Sequence, residues 1–420
     1  MFQTLGQRLR QLQVILLVGL LLTSPANASQ PDASELLQGR PVFSGVQWVD
    51  PRLDEALYPV NINNWWGLMN RQGDLVVYPQ FDWADYTWDG RIRVVRDERT
   101  GFINGAGGWL TDPIYPYADR YADGYAVIGD GERFGYLDKA GRVFLPIELD
   151  GALRFQEGMA AVQQGDRVGY IDRRGELAIP LAFARARSFH QGRAVVQLPE
   201  DGPNPGMLGY IDKRGELIFA DTQGDFSHLG DFHDGLARVR VHGKWGYFDR
   251  SFRLRIEPSY EQAGDFHDGL ARVMRDGRWG YIDKAGRLVV DTRYDDASDF
   301  ADGLAMVGLG DEHGYVNRMG DHRIALQFNH AQPFFRNLAR VSIDNSFAYV
   351  DVSGRAVWDP RAPLRQIRNR TTRLRADPEF QYLRRYRRGA VPPPPQRAPM
   401  PEPYPPDHEY EPELPRPPVP

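Results

Sequence analysis

The sequence contains no cysteine among its 420 residues, and this absence excludes several kinds of protein. A disulfide framework, a thiolate metal site and a cysteine nucleophile all need that residue. A mature N-terminus anchored by a lipid on cysteine is excluded for the same reason. Lysine is also scarce and occurs only at positions 139, 213, 244 and 284, so arginine supplies almost all of the positive charge.

Long apolar runs are absent as well. The longest, at residues 14–22, is too short to cross a bilayer core of roughly 30 Å as a helix that rises about 1.5 Å per residue. It follows Arg8 and Arg10 and precedes an Ala-Asn-Ala site at residues 26–28. This order of a basic, an apolar and a small-residue region is typical of a secretory signal peptide. We therefore expect residues 1–28 to be a signal peptide and the protein to be exported, to the periplasm or outside the cell.

The sequence is rich in turn formers and aromatic residues. It has 43 glycines and 32 prolines, which favour many turns over long helices, and 12% of its residues are aromatic. Self-comparison reveals an internal repeat, since residues 231–239 and 265–273 are identical. A glycine marks the same place in eight copies, and Ala348 takes that place in a ninth. The eight are Gly67, Gly101, Gly135, Gly169, Gly209, Gly246, Gly280 and Gly314.

Each unit of about 34 residues predicts three short strands. A run such as Trp279-Gly-Tyr-Ile-Asp283 is followed by a turn and a second apolar run, which together predict an antiparallel hairpin. Repeat six has Phe252 where the other turns have glycine, so we expect a wider hairpin there. An Ala-x-x-Phe-x-Asp-Gly segment, such as residues 263–269, should form an irregular loop or one helical turn. An alternating run such as Ala271-Arg-Val273 ends the unit as a half-buried strand with Arg or Met facing outwards.

One such unit cannot bury its apolar face alone, so we expect neighbouring copies to stack and their aromatic residues to form ladders. We predict an all-β array at residues 57–360, stacked as a solenoid-like or superhelical structure. A closed propeller-like ring is the alternative. The 34-residue unit favours the open stack, because propeller blades commonly need about 40 residues.

The Trp-Gly-Tyr-Ile-Asp-x-x-Gly start, the Pro-x-Tyr middle and the Phe-x-Asp-Gly-Leu-Ala-x-Val end resemble the WG, or KWG, β-repeat family. The resemblance spans roughly residues 60–358. Trp245 and Trp279 fit the pattern closely, whereas other copies replace the tryptophan. The resemblance implies a β-rich repeat array of the kind often exported or surface-associated in bacteria. It brings no defined activity and no catalytic residues.

The segments outside the array differ from it in composition. Residues 29–56 are polar and turn-rich and should form a linker or cap. Residues 361–390 are strongly basic and predict a short helix carrying Arg384, Arg385, Arg387 and Arg388. This helix could contact an anionic membrane surface, or it could pack against the acidic array. Residues 391–420 are proline-rich, and we expect an extended disordered tail that acts as a spacer.

No chemistry-bearing motif stands out. A nucleotide loop, an HExxH pair and a nucleophile elbow are all missing. His190, His233 and His267 occupy the same repeat slot, but no second ligand follows at the spacing of a metal site, so we interpret them as surface residues copied by duplication. The acidic run at residues 295–302 lacks the order of a calcium loop. We predict no catalytic residue, no cofactor and no metal.

The sequence therefore favours a non-catalytic binding or scaffold protein outside the cytoplasm, whose partner is a protein or a cell-envelope glycan. Nucleic acid is an unsuitable partner for an exported protein with an acidic body. Trp88, Trp109 and Trp358 lie off the repeated tryptophan slot and are candidate contact residues, although local packing would also explain them. The alternatives are an envelope polysaccharide hydrolase and a membrane-surface tether through residues 361–390.

The signal-peptide prediction is directly testable. We expect the exported protein to begin at Ser29, because the small residues at positions 26 and 28 form the cleavage site. Intact-mass measurement and N-terminal sequencing of protein from the envelope fraction would check this. Retention of residues 1–28 in that fraction would contradict it.

Overall fold

Short aromatic and β-branched runs alternate with turn formers along the whole array, and each run becomes a strand. The computed structural model describes residues 56–343 and 346–359. All regular elements in these ranges are β-strands. The predicted signal peptide, nearly all of the predicted linker, the basic segment and the proline-rich tail lie outside the described residues.

The strands form nine antiparallel sheets, here called blades 1 to 9 in chain order. Blade 1 consists of β1 (Tyr58–Ile62), β2 (Trp65–Met69) and β3 (Leu75–Phe81). Blades 2 to 5 consist of β4 (Trp83–Trp88), β5 (Arg91–Arg96), β6 (Arg99–Asn104), β7 (Trp109–Tyr115); β8 (Tyr117–Ala118), β9 (Ala126–Gly129), β10 (Phe134–Leu137), β11 (Val143–Leu149); β12 (Gly151–Ala152), β13 (Met159–Gln164), β14 (Arg167–Asp172), β15 (Leu177–Phe183); and β16 (Arg185–Ala186), β17 (Ala194–Gln197), β18 (Leu208–Ile211), β19 (Leu217–Ala220).

The remaining four blades repeat this plan. Blades 6 to 9 consist of β20 (Phe226–His233), β21 (Leu236–Val241), β22 (Lys244–Asp249), β23 (Leu254–Tyr260); β24 (Gln262–Ala263), β25 (Leu270–Arg275), β26 (Arg278–Asp283), β27 (Leu288–Tyr294); β28 (Asp296–Ala297), β29 (Leu304–Leu309), β30 (Glu312–Asn317), β31 (His322–Phe328); and β32 (His330–Ala331), β33 (Leu338–Ile343), β34 (Ser346–Asp351), β35 (Ala356–Trp358). Strands that are consecutive in the chain are hydrogen-bonded neighbours within each blade.

The blades differ from the predicted three-stranded units in two respects. Blades 2 to 9 have four strands, because a short segment such as β24 adds an edge to each. A sequence repeat that starts at its Gly-aromatic pair also straddles two blades, since its first two strands end one blade and its last two begin the next. Each repeat therefore contributes strands to two blades and links them through the chain.

A buried tyrosine on the third strand connects each of seven blades to the following one. Its hydroxyl donates a hydrogen bond to a backbone carbonyl of the next blade, as Tyr281 does to Ser298 O at 2.7 Å. Desolvation raises the pKa of this phenol well above its usual range, so it stays a neutral donor. The other six donors are Tyr136, Tyr170, Tyr210, Tyr247, Tyr315 and Tyr349, at 2.7–2.8 Å from their acceptors. These tyrosines form the ladder expected from the repeat.

The same bond joins the last blade to the first. Tyr349 of blade 9 donates to Pro59 O of blade 1 at 2.8 Å, and Tyr58 of blade 1 donates to Arg336 O of blade 9 at 2.7 Å. Tyr58 also packs edge-on against Phe335 and Tyr349. The nine blades thus form a closed, propeller-like ring. The predicted open, solenoid-like stack is wrong, and the alternative of a ring is correct.

The hydrophobic core is divided among the contacts between blades. Buried side chains form nine clusters, of which eight join two consecutive blades and the one at the closure joins blades 9 and 1 and includes Tyr86 of blade 2. The cluster between blades 7 and 8, for example, includes Tyr281, Val290, Phe300 and Val307. Full burial of one such side chain stabilises the fold by about 1.5–3 kcal/mol. A blade without its neighbours would lose both of its apolar contacts.

The turn between the third and fourth strands covers the fourth strand of the preceding blade. A Cβ on Gly286 would lie 3.4 Å from the side chain of Ile256, and one on Gly73 would lie 2.5 Å from Val357 O across the closure. Phe252 forms the same turn, with a positive φ of 58° and a 2.9 Å hydrogen bond to Asp249 O. The wider hairpin predicted for repeat six is therefore wrong. The Phe252 ring stacks on Phe219 instead of leaving a gap.

The repeated tryptophan does not lie in the apolar core. Trp279 stacks against the guanidinium of Arg272, at 5.1 Å. Arg272 in turn donates to Ala297 O and contacts Asp299 at 3.0 Å, both in the next blade. The prediction that this arginine faces outwards is wrong, because its side chain is only 22% exposed. Tryptophan and arginine together build a polar connection beside the tyrosine bond.

The closed ring makes a quantitative prediction for two matched tyrosines. Tyr349→Phe should destabilise the protein about as much as Tyr281→Phe, by about 1–2 kcal/mol, because each change leaves a buried carbonyl without its donor. Denaturant unfolding of both variants would test this. In an open array Tyr349 would lie at a free end, so a neutral Tyr349→Phe beside a destabilising Tyr281→Phe would contradict closure.

Candidate functional site

A row of tight turns lies at one end of the ring, between the first and second strands of the blades. In blade 7, Asp268 and Gly269 have φ values of 53° and 83°, and the flanking residues His267 and Leu270 form a two-residue antiparallel bridge. Two consecutive positive φ angles are those of a type I′ turn, for which Asp-Gly is a preferred sequence. The expected irregular loop or helical turn is thus a two-residue hairpin.

Hydrogen bonds between successive turns hold this row together. The Asp268 carboxylate accepts the backbone N–H of Gly303 in the next blade at 3.0 Å. Six further turns make the equivalent bond, at 2.6–3.0 Å, so the row runs from blade 2 to blade 9. The other acceptors are Asp89, Asp123, Glu157, Gln191, Asp234 and Asp302. We call these seven residues the turn row.

Basic residues from the turns between the third and fourth strands reach back to the turn row. Arg173 lies 3.2 Å from the carboxylate of Asp123, and Lys213 lies 3.1 Å from that of Glu157. The Arg173 and Lys213 side chains keep about half of their surface exposed, so solvent screens both pairs and they add little stability. Their effect is a surface with both signs of charge, called here the turn face.

A second row of side chains lies directly beside the turn row, one residue earlier in each blade. Three of its members are histidines whose rings contact one another at tilts of 44° and 41°. The ring centroids of His190 and His233 are 5.0 Å apart, and those of His233 and His267 are 5.1 Å apart. The row continues with Ala301 in blade 8 and Phe335 in blade 9. His190 is 5% exposed, so the prediction that all three histidines are surface residues is wrong for this one.

The small side chain of Ala301 leaves a depression in this second row. Residues of blades 6 to 9 line it, with His267 on one side and Phe335 on the other. Its charged residues are Asp234, Asp268, Asp302 and Arg336, and the buried rings of Phe300 and Phe334 lie beneath. A second depression shares Asp234 and lies between blades 6 and 7, where Lys284 and Arg255 contribute positive charge. Both depressions open on the turn face.

The three tryptophans nominated from the sequence lie elsewhere. Trp109 is 40% exposed and packs edge-on against Phe81. Trp88 packs against Phe335 and beneath Arg120, whose guanidinium is 3.6 Å from its ring. Trp358 is 5% exposed and belongs to the cluster at the closure. The structure does not bring these three into one surface. Arg384, Arg385, Arg387 and Arg388 lie outside the described residues.

Sequence reasoning missed Asp234, Asp268, Asp302 and Ala301. Their signal was present in the repeat, since the residue before the turn is large or polar in most copies and is alanine in blades 3 and 8. Only the ring shows that successive copies of this slot stack. Among the described residues there is no group of three or more potential ligands that could hold a metal ion, and no helix long and apolar enough to span a membrane.

The family model for the WG-containing repeat matches the array in eight tandem segments. They cover well over half of the chain, at residues 66–99, 101–131, 134–167, 169–198, 209–245, 245–279, 279–312 and 314–346. The chain belongs to the WG-containing repeat family. This confirms the resemblance seen in the sequence. The first strand of blade 1 and the last strands of blade 9 lie outside the matched segments, and they are the elements that meet at the closure.

Solved structures resemble the WG-repeat ring in fold. A crystal structure of a eukaryotic initiation factor is 12% identical, with a TM-score of 0.54, and the match covers 72% of this chain and 94% of that one. BamB from Moraxella catarrhalis is 15% identical (TM-score 0.37; 71% and 92% covered), and AztD from Citrobacter koseri is 10% identical (0.39; 72% and 93%). At 12% identity, the first of these likenesses concerns the fold alone. No curated protein matches the sequence.

The turn row predicts a difference between two substitutions at one position. Asp268→Asn should leave stability nearly unchanged, because the amide oxygen can still accept the Gly303 N–H. Asp268→Ala should cost about 1 kcal/mol, because that donor loses its partner. Hydrogen exchange at the Gly303 amide would report the loss locally. Equal protection of this amide in both variants would contradict the role assigned to the carboxylate.

Proposed function

We propose that this protein is an exported, non-catalytic binding module whose turn face holds a protein partner. The observation that supports the turn face is the convergence there of both depressions, which share Asp234 and draw residues from blades 6 to 9. Residues from four separate blades form one continuous surface, so a partner could contact several repeats at once. Repeat proteins commonly bind through such extended surfaces.

The surface is also held in one shape before a partner arrives. The turns at Asp234, Asp268 and Asp302 each hold a backbone N–H of the following blade. A preorganised backbone lowers the entropic cost of association. The mixture of carboxylates with Lys284, Arg255 and Arg336 suits a partner of matching charge, because complementary charges steer encounter and set orientation.

The buried titratable groups fit a structural role better than a catalytic one. Burial strongly raises the pKa of five phenols of the tyrosine ladder, and their hydroxyls are occupied by carbonyls of neighbouring blades. Desolvation, together with nearby Arg187 and Arg238, lowers the pKa of His228 to about 4, and this histidine lies against Trp245 rather than on the turn face. We therefore propose binding rather than hydrolysis of an envelope polysaccharide.

Charge reversal at the two ends of the ring tests this proposal. Lys284→Glu with Arg255→Glu changes the turn face, while Asp311→Lys with Glu312→Lys changes the hairpin between the second and third strands, at the opposite end of blade 8. The mature chain and both variants would be used to capture envelope proteins, which are then identified by mass spectrometry.

We expect a specific partner to be captured by the wild type and the opposite-end variant and reduced at least tenfold with the turn-face variant. Loss with the opposite-end variant alone would refute the turn face as the binding surface. A chain ending at Pro360 separates the array from its tail. Capture that needs residues 361–420 would move the function to the basic segment and favour the membrane-surface tether.

A further inference from the structure

We propose that a carboxylate of a partner protein, from an aspartate or glutamate side chain, binds at the blade 5 turn of the turn row. Arg193 and Arg250 are the residues that bind it. This inference rests on the proposed function, since it assigns a chemical class of ligand to one part of the turn face. Two observations among the described residues carry it. No carboxylate pairs with these two arginines, and buried polar atoms at the same turn lack hydrogen-bond partners.

In the neighbouring blades, a basic residue pairs with the turn-row carboxylate of the preceding blade. The pairs are Arg173–Asp123 at 3.2 Å, Lys213–Glu157 at 3.1 Å and Lys284–Asp234 at 3.9 Å. Between blades 5 and 6 the basic residue is Arg250, and the turn-row residue is Gln191. The Gln191 Oε1 atom accepts the Gly235 N–H at 3.0 Å, so this amide keeps the structural bond of the turn row but brings no negative charge.

Arg193 brings a second positive charge to the same place. It follows the turn at a position where blades 6 to 9 have leucine. Its guanidinium donates to Gln191 O at 3.2 Å and to Arg250 O at 3.0 Å, and Arg250 donates to Gln191 O at 3.4 Å. Desolvation and the adjacent Arg250 lower the pKa of Arg193. Neither arginine lies within 4.0 Å of a carboxylate oxygen of the described residues, so two positive charges converge there without a nearby opposite charge.

Aromatic packing fixes the position of Arg193. Its guanidinium carbon lies 5.1 Å from the ring centroid of Phe232 and 5.6 Å from that of Phe252, the residue that replaces the usual glycine of its turn. The buried Nε of Arg193 has no hydrogen-bond partner in the described part of the chain. The same holds for Nε2 of His190, which is 5% exposed and pairs with Arg193 across the turn. Because buried polar atoms are rarely left in this state, the two atoms point to a polar group from outside the chain.

A single carboxylate suits this site better than other groups. The planar guanidinium fork matches two carboxylate oxygens, and Arg250 is exposed, so a partner can reach it. Glu157 and Asp234 occupy the neighbouring turns, and their charges oppose a doubly charged phosphate more than a singly charged carboxylate. A neutral amide would leave both guanidinium charges unpaired. The partner's carboxylate therefore takes the place that Glu157 has beside Lys213.

The test uses the full mature chain and acetyl-glutamate amide as the probe, with acetyl-glutamine amide and inorganic phosphate as comparison ligands. Isothermal titration would measure the affinity, and NMR of the arginine Nε–H groups would locate the bound probe at Arg193 and Arg250. For a probe of this size we expect a dissociation constant on the order of 1 mM at low salt. The glutamate probe should bind at least tenfold more tightly than the glutamine probe, and more tightly than phosphate.

Gln191→Glu is the decisive variant. It gives blade 5 the turn-row residue of blade 4 and keeps an oxygen for the Gly235 N–H, so the protein should fold. The new carboxylate should pair with Arg250 and weaken binding of the glutamate probe at least tenfold. Gln72→Glu makes the same change of charge at an exposed position in the turn between β2 and β3 of blade 1, and it should leave binding unaltered.

Two leucine substitutions form a second matched pair. Arg193→Leu copies the residue of blades 6 to 9 and should weaken binding at least tenfold, because it removes one of the two guanidinium groups. Arg91 occupies the same position in blade 2, but its turn-row residue is the carboxylate Asp89, so Arg91→Leu should leave binding unaltered. Denaturant unfolding would show that each variant is folded.

Unaltered binding in a folded Gln191→Glu or Arg193→Leu protein, equal affinity for the glutamine probe, tighter binding of phosphate, or no saturable binding of the glutamate probe would overturn this inference. The two proposals can fail separately. If the glutamate probe does not bind while charge reversal at Lys284 and Arg255 still abolishes partner capture, the turn face stands and the carboxylate site does not. If the probe binds as expected but the wild type captures no partner, the carboxylate site stands and the proposed function does not.

Discussion

The ring depends on one requirement, that every blade must be covered on both faces by another blade. A blade of four short strands encloses no core of its own, and each hydrophobic cluster lies between two blades. The tyrosine ladder fixes how successive blades are placed against each other, because each buried hydroxyl must bond to an acceptor at a fixed position in the next blade. A stack with two ends would expose two apolar faces and would leave the hydroxyls of Tyr349 and Tyr58 without their acceptors, and closure removes all four defects.

The seam between the first and last blades is built from aromatic residues of the two ends of the array. Tyr58, Phe335, Tyr349 and Trp358 come from segments more than 270 residues apart, yet they form one buried cluster. No strand of blade 1 pairs with one of blade 9, as is the case between the other blades, so side-chain packing and the tyrosine bonds to the backbone carbonyls of Pro59 and Arg336 make this contact. Other neighbouring blades are linked because one sequence repeat contributes strands to both of them. No repeat spans the seam, and aromatic packing takes the place of that link.

The turn face follows from the same periodicity. Equivalent turns become neighbours once the blades stack, so a carboxylate in one blade reaches the backbone of the next, and equivalent side chains form a continuous row. Two copies of this slot hold alanine, and Ala301 lines the depression together with His267 and Phe335.

The sequence by itself determined the repeat, its all-β character, the hairpin of the Gly-aromatic strand and the family, because those features depend on residues close together in the chain. Only the tertiary structure decided between an open stack and a ring, because closure depends on the angle between successive blades and on the fit of Tyr349 to Pro59, 290 residues away. The tertiary structure alone also decided the inward position of Arg272, the turn at Phe252 and the depression at Ala301. Each depends on which residues the adjacent blade places opposite it, and the sequence around the residue does not show which residues those are.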